Sequence, residues 1–196
     1  MLTKNISFKN ISIKIDNSQV SKNLKFLLKE NLPLLDSLKK SYKYSYSKKL
    51  VLELKKFSNI RIIAMGGSAL GANAIYSFLR NKIKKKFFFV NNLNINSNYF
   101  LNKKKTKNLN LIISKSGNTL ETIINANILI KKNDRNIFIT EKKNNYLRNM
   151  GLQMKAEILE HKNFIGGRYS VLSEVGMLPA ELMGLDEKKF KQLNYL

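Results

Sequence analysis

The chain has 196 residues, 43% of them hydrophobic, which is enough for one compact domain with a sizeable core and peripheral structure but tight for two. It has no cysteine and one histidine, His161, which excludes disulfides, thiolate catalysis, cysteine-based metal sites and any histidine cluster. Lys and Arg number 36 against 13 Asp and Glu, a net charge of +23, yet the lysines fall in short clusters along the whole length without aromatic or glycine interleaving. They read as a solvated basic surface that attracts anionic metabolites, not as a specific nucleic-acid groove.

In chain order, Lys4, Lys9 and Lys14 interrupt the first apolar residues, so no signal-peptide core forms and a cytoplasmic location is expected. Ile11 to Ile15 alternate with polar residues as an extended segment does. Leu24, Leu27 and Leu28 are spaced for one helix face, and Pro33 marks a boundary. A second helical stretch is predicted over Tyr46 to Phe57. Residues 1–56 therefore read as a strand and mostly helical region packing on a core domain of residues 57–196.

From Asn59 a regular alternation begins. Arg61 to Met65 is a predicted strand, Leu70 to Leu79 a helix, Phe87 to Val90 a strand and Asn98 to Lys103 a short helix. Leu109 to Ser114 follows as a third strand, Leu120 to Lys131 as a helix, Ile137 to Thr140 as a fourth strand and Ala156 to Leu159 as a fifth. Val171 to Met183 is apolar enough for a buried helix. The uncharged run Ile62 to Leu79 has the length of a membrane span, but Gly66, Gly67, Ser68 and Gly71 break it into strand, loop and buried helix. Continuous apolar strands alternating with helices predict an α/β fold, a doubly wound parallel five-stranded sheet with helices on both faces. Ligands of such sheets bind at the carboxyl ends of strands where strand order reverses, which singles out the loops after Met65 and Ser114.

Three segments carry chemistry. Gly66-Gly67-Ser68-Ala69-Leu70-Gly71 follows the first strand; its glycines permit positive φ and close approach to the backbone, and a following helix points free N–H groups at an anion. Its spacing is neither that of a dinucleotide fingerprint nor that of a Walker loop, so a plain strand-to-helix turn is an equal reading. Ser114-Lys115-Ser116-Gly117-Asn118-Thr119, before Leu120-Glu121-Thr122, gathers hydroxyls, an amide, a glycine and a helix start that can surround a phosphate. The alternative there is an N-cap with Glu121 in the first turn. Gly166-Gly167-Arg168 can set a permanently charged, multidentate donor against a developing oxyanion, or be a surface turn.

Together, Met65 to Gly71, Ser114 to Thr122 and the long run Gly166-Gly-Arg-Tyr-Ser-Val-Leu-Ser-Glu-Val-Gly-Met-Leu-Pro179 resemble, in that order, the signatures of glucose-6-phosphate isomerases. The third is the most specific, because other sugar isomerase (SIS) domains share the phosphate loops but not this run. The likeness covers about Ile60 to Phe190. It implies an SIS-type domain that interconverts glucose 6-phosphate and fructose 6-phosphate in glycolysis and gluconeogenesis, with a sugar phosphate as partner and no metal or organic cofactor. It also implies a homodimer at full length, with no specific nucleic acid and no membrane.

Carried over residue by residue, the resemblance implies that Ser114, Ser116 and Thr119 bind the substrate phosphate with backbone donors around Lys115 and Gly117, joined by Ser68. Gly67 and Gly167 would line the sugar. Arg168 would stabilise the enediolate, and Glu121 would orient a catalytic histidine. Asn118 departs from the bacterial pattern, which usually has threonine there. The family's carboxylate base, ring-opening histidine and terminal lysine belong to later segments, beyond the start of a second SIS-type domain, and none of these motifs occurs here. The chain is therefore expected to be a fragment without turnover of its own; the competing expectation is a non-catalytic sugar-phosphate-binding module.

Overall fold

A computed structural model describes residues 18–30, 32–93 and 108–192. The extended start at Ile11 to Ile15 and the short helix at Asn98 to Lys103 lie outside these residues. The chain divides into two compact units, residues 1–32 and 33–196. In the first, helix α1 (Ser18–Lys29) carries Leu24, Leu27 and Leu28, all of them exposed.

The second unit is built on five strands, β1 (Asn59–Ala64), β2 (Lys86–Val90), β3 (Leu109–Ile113), β4 (Arg135–Thr140) and β5 (Glu157–Glu160). They lie in the order β2-β1-β3-β4-β5, every pair parallel. Apolar runs make these strands because both faces are covered: Ile62 and Leu111 point one way, Ile63 and Ile112 the other, and all four are fully buried. Each such side chain contributes about 1.5–3 kcal/mol by leaving water.

On one face Ile60, Ile62, Leu109, Leu111 and Ile137 pack against α2 (Lys48–Leu54), α3 (Gly67–Phe78) and α6 (Glu174–Leu182). On the other, Ile63, Ile112 and Phe138 pack against α4 (Leu120–Leu129) and α5 (Tyr146–Gln153). The doubly wound five-stranded sheet is thus present as the sequence pattern predicts.

Some boundaries differ from the sequence reading. Helix α3 begins at Gly67, three residues before the predicted start, because its glycines lie in a seam and not in a loop. A Cβ on Gly71 would fall 2.8 Å from Val171, and one on Gly176 of α6 would overlap the Val171 carbonyl. The segment predicted as one buried helix from Val171 splits into a 3-10 turn, Gly167–Leu172, and α6; Ser173 ends the first and caps the second by accepting from Val175 N. Helix α5 has no counterpart in the sequence reading. Its Gly151 is a poor helix former, tolerated because a Cβ there would press on Ile158 and Phe138 at 3.0 and 3.1 Å.

Two buried polar groupings brace the unit. Arg61, Asn110 and Asn136 stand in register on β1, β3 and β4 near the amino ends of the strands. Arg61 donates to Asn110 at 2.8 Å and to Asp134 at 3.1 Å, and Asn110 donates to Asn136 at 2.7 Å. Glu174, fully buried in the first turn of α6, accepts from Tyr42 Oη at 3.0 Å and Ser45 N at 2.9 Å, and burial pushes its carboxyl above the usual range. Next to it the Lys191 ammonium sits 4.6 Å and 4.5 Å from the ring centres of Tyr42 and Tyr44, with no hydrogen-bond acceptor.

Candidate functional site

The chain runs from β1 outward to β2 and then crosses back to β3 on the other side of β1, so strand order reverses between β1 and β3. At the carboxyl ends of these two strands lies a cavity of about 340 Å³ lined by Met65, Ser68, Ile113, Ser114, Lys115, Ser116, Thr119, Glu141 and Lys143. Crevices at such reversals form because the two loops diverge to opposite faces of the sheet.

The loop after β3 is shaped by its own hydroxyls. Ser114 Oγ lies 2.8 Å from Thr119 Oγ1 and 3.5 Å from Ser116 Oγ, and it accepts from Gly117 N at 3.2 Å. Gly117 has φ +67°, the left-handed region that favours glycine. A Cβ there would overlap the carboxamide of Asn145, which caps α5 by accepting from Arg148 N at 2.9 Å. Asn118 Oδ1 accepts from Tyr146 N at 3.0 Å, so the amide at this position docks the loop on α5.

The helix starts at the cavity differ from the others. Helices α2, α5 and α6 have side-chain caps from Ser47, Asn145 and Ser173. Helices α3 and α4 start at Gly66 and Thr119 with no side-chain cap, the Thr119 hydroxyl being turned to Ser114. The first N–H groups of α4 therefore remain available to an anion, whereas in α3 Ser68 N and Ala69 N already donate to Met65 O and Gly66 O; the dipoles of both helices add attraction. Thr119 occupies the N-cap position with Glu121 in the first turn, but its hydroxyl makes no cap bond.

Charge enters from both sides. Lys115 Nζ donates to Asn163 O at 2.5 Å and lies 3.6 Å from Glu141, whose other oxygen pairs with Lys143 Nζ at 2.8 Å. That Lys143 bond holds the Glu141 carboxyl below the usual carboxylate range, outweighing the opposing effect of burial. His161, buried after β5, has its basicity lowered by burial, and its Nε2 has no partner. Among the described residues no cluster of His, Cys, Asp and Glu could hold a metal ion, and no helix is long and apolar enough to cross a membrane.

Of the residues picked from sequence, Ser68, Ser114, Lys115, Ser116 and Thr119 share the cavity wall. Gly117 is buried in the same loop, with its N–H bonded to Ser114. Gly67, Gly167, Arg168 and Glu121 are not in the wall. Gly67 instead meets the backbone of Gly167 and Arg168, Arg168 is exposed, and Glu121 is half-buried in the first turn of α4. Glu141 and Lys143 also line the cavity, with Asn145 bonded to the carbonyls of both, and the sequence reading misses all three. They follow β4, and applying the carboxyl-end rule to that strand as well would have found them.

A model of the phosphoglucose isomerase family matches residues 12–194. The chain belongs to this family. It is 35% identical over 144 residues to a glucose-6-phosphate isomerase of Methanocaldococcus jannaschii, covering 69% of the chain and 35% of that protein. The Acholeplasma laidlawii glucose-6-phosphate isomerase is 34% identical over 160 residues, covering 72% and 37%. A probable glucose-6-phosphate isomerase of Methanococcus maripaludis is 31% identical over 217 aligned positions, covering 94% and 46%. The matched part thus spans less than half the length of these phosphoglucose isomerase relatives. The fold is also that of a hypothetical protein from Thermus thermophilus, with TM-score 0.68 and 22% identity over 89% of the chain and 46% of that protein.

Proposed function

We propose that this chain carries the substrate-phosphate and charge-stabilising part of a glucose-6-phosphate isomerase, acting on glucose 6-phosphate and fructose 6-phosphate in the cytoplasm and dimeric in the complete enzyme. The observation that carries the reading is the convergence of Ser68, Ser114, Ser116 and Thr119 with two uncapped helix starts in one cavity at the reversal of strand order. Neutral hydroxyls and N–H groups at fixed positions suit a phosphate monoester, whose oxygens accept from several directions.

In this reading Lys115 adds charge and Gly117 sets the loop's shape. Gly67 and Gly167 bring the Arg168 turn beside α3. Arg168 then stands by to hold the oxyanion that develops on the sugar as a proton passes between C2 and C1, and Glu121 steadies an imidazole. Among the described residues the cavity wall has one carboxylate, Glu141, already paired with two lysines, so proton transfer is assigned to groups outside this wall.

Calorimetry with 6-phosphogluconate tests the phosphate role directly. The purified chain should bind it, Ser114→Ala or Thr119→Ala should weaken binding, and Arg168→Lys should leave it nearly unchanged. Absence of binding by folded chain would remove the reading. A coupled assay for glucose 6-phosphate formation should show no turnover by the chain alone; robust turnover would place the missing acid/base within these residues.

A further inference from the structure

Two lysines and one glutamate share the cavity wall, leaving one net positive charge to receive a phosphate that carries up to two negative ones. The glutamate is the fixed member. Its side chain is 11% exposed, its N–H donates to Lys115 O at 3.1 Å, and its carbonyl accepts from Asn145 Nδ2 at 3.3 Å. Lys143 is the movable member, with its side chain 66% exposed and its backbone carbonyl held by Asn145 at 2.9 Å. A long flexible amine on an anchored backbone can turn from one anion to another without moving the loop.

We propose that Glu141 is a resident counter-anion of the cavity: it holds Lys143 while the site is empty and yields it to an incoming phosphate, thereby setting the affinity of the site and its preference for doubly charged ligands. The proposal rests on the phosphate reading above. Its physical content is a competition. A phosphate that recruits Lys143 must break a 2.8 Å ion pair, and Glu141, being ionised and close to the phosphate oxygens, also repels the ligand. A ligand with a single negative charge gains less from Lys143 and Lys115, so it displaces Glu141 less readily.

The test is titration of the 196-residue chain with inorganic phosphate, comparing wild type, Glu141→Gln and Lys143→Met. Gln keeps the size of the side chain and removes its charge, so Glu141→Gln should bind phosphate about two- to fivefold more tightly, the range expected for a partly exposed pair. Lys143→Met should weaken binding more in the Gln background than in wild type, because only there is the amine free before the ligand arrives. Unchanged or weaker binding by Glu141→Gln, with wild type still binding, would show that Glu141 merely positions Lys143 and would overturn this inference while leaving the phosphate reading intact. Failure of both proteins to bind phosphate would remove both. Should Glu141→Gln not fold, Glu141→Asp keeps the charge but draws it back from Lys143, and tighter binding is expected there too; binding no tighter than wild type would overturn the inference.

Discussion

Gly67 lies against the backbone of Gly167: a Cβ on Gly67 would overlap the Gly167 carbonyl carbon and oxygen and come within 2.7 Å of Arg168 N. The converse is mild, since a Cβ on Gly167 would come no closer than 3.9 Å to Gly67. Gly67→Ala should therefore displace the Arg168 turn and cost about 1–3 kcal/mol by overpacking, whereas Gly167→Ala should cost little. Urea midpoints of the two variants check this, and equal midpoints would contradict the asymmetry.

At Gly117 two effects coincide, φ of +67° and the Asn145 carboxamide in the space a Cβ would need. Gly117→Ala should lose about 2 kcal/mol or more, and phosphate binding with it, because Ser114 and Thr119 are held by the same loop. Asn145→Ala alone should cost about 1 kcal/mol as a lost cap. The double variant should cost less than the sum, since removing the carboxamide makes room for the new methyl. Strict additivity in denaturation would mean that backbone strain alone governs the position.

Glycines of this kind show where sequence reading succeeds and where it stops. The five strands were legible because Ile60 to Ala64 and Leu109 to Ile113 are buried on both faces and so are apolar apart from Arg61 and Asn110. The loop after β3 was legible as a candidate site because its hydroxyls and glycine are local in sequence. The start of α3 was not, because Gly67 and Gly71 lower helix propensity for reasons that lie a hundred residues away, at Gly167 and Val171. Helix α5 was hidden for the same reason: few of its residues are buried, Leu147 and Gly151 among them, and Gly151 makes sense only against Phe138 and Ile158. Glu141 and Lys143 belong to no local motif, and only the fold sets Glu141 between Lys143 and Lys115.

Arg61 and Asp134 form an ion pair with side chains only 7% and 8% exposed. Asp134→Ala would leave the guanidinium buried beside Asn110 without its counter-charge, a loss of about 3–5 kcal/mol. Phosphate binding by the molecules that remain folded should be unaffected, because the pair lies at the amino ends of the strands. Thermal unfolding with parallel calorimetry separates the two quantities; a small stability change would mean that water reaches the pair.

Lys191 gives a pH dependence with a definite sign. Burial pulls its amine down to about 8, while in an unfolded chain lysine titrates near ~10.4. Between about pH 8 and pH 10 the unfolded state thus binds more protons, and the stability tied to Lys191 rises with pH. Below about pH 8 both states carry the charge and the cost of burying it is present in full. Burial pushes the Tyr42 and Tyr44 hydroxyls well above their usual range, so in the folded protein they stay neutral across this window. Urea midpoints for wild type and Lys191→Met at about pH 7.5 and pH 9.5 should converge on, or cross in favour of, wild type as pH rises. A constant difference would place the amine in water.

The row of Arg61, Asn110 and Asn136 acts as an alignment pin for the far end of the sheet. Slipping β1 by one residue past β3 would turn the guanidinium toward the opposite, apolar layer and strand Asp134, at a cost of several kcal/mol. With Arg61 held opposite Asn110, Ala64 must finish opposite Ile113, and the chain leaves the sheet at Met65 and Ser114 on the same level. The two loops that face one another across the cavity therefore begin at matching heights because of a charge buried at the other end of their strands.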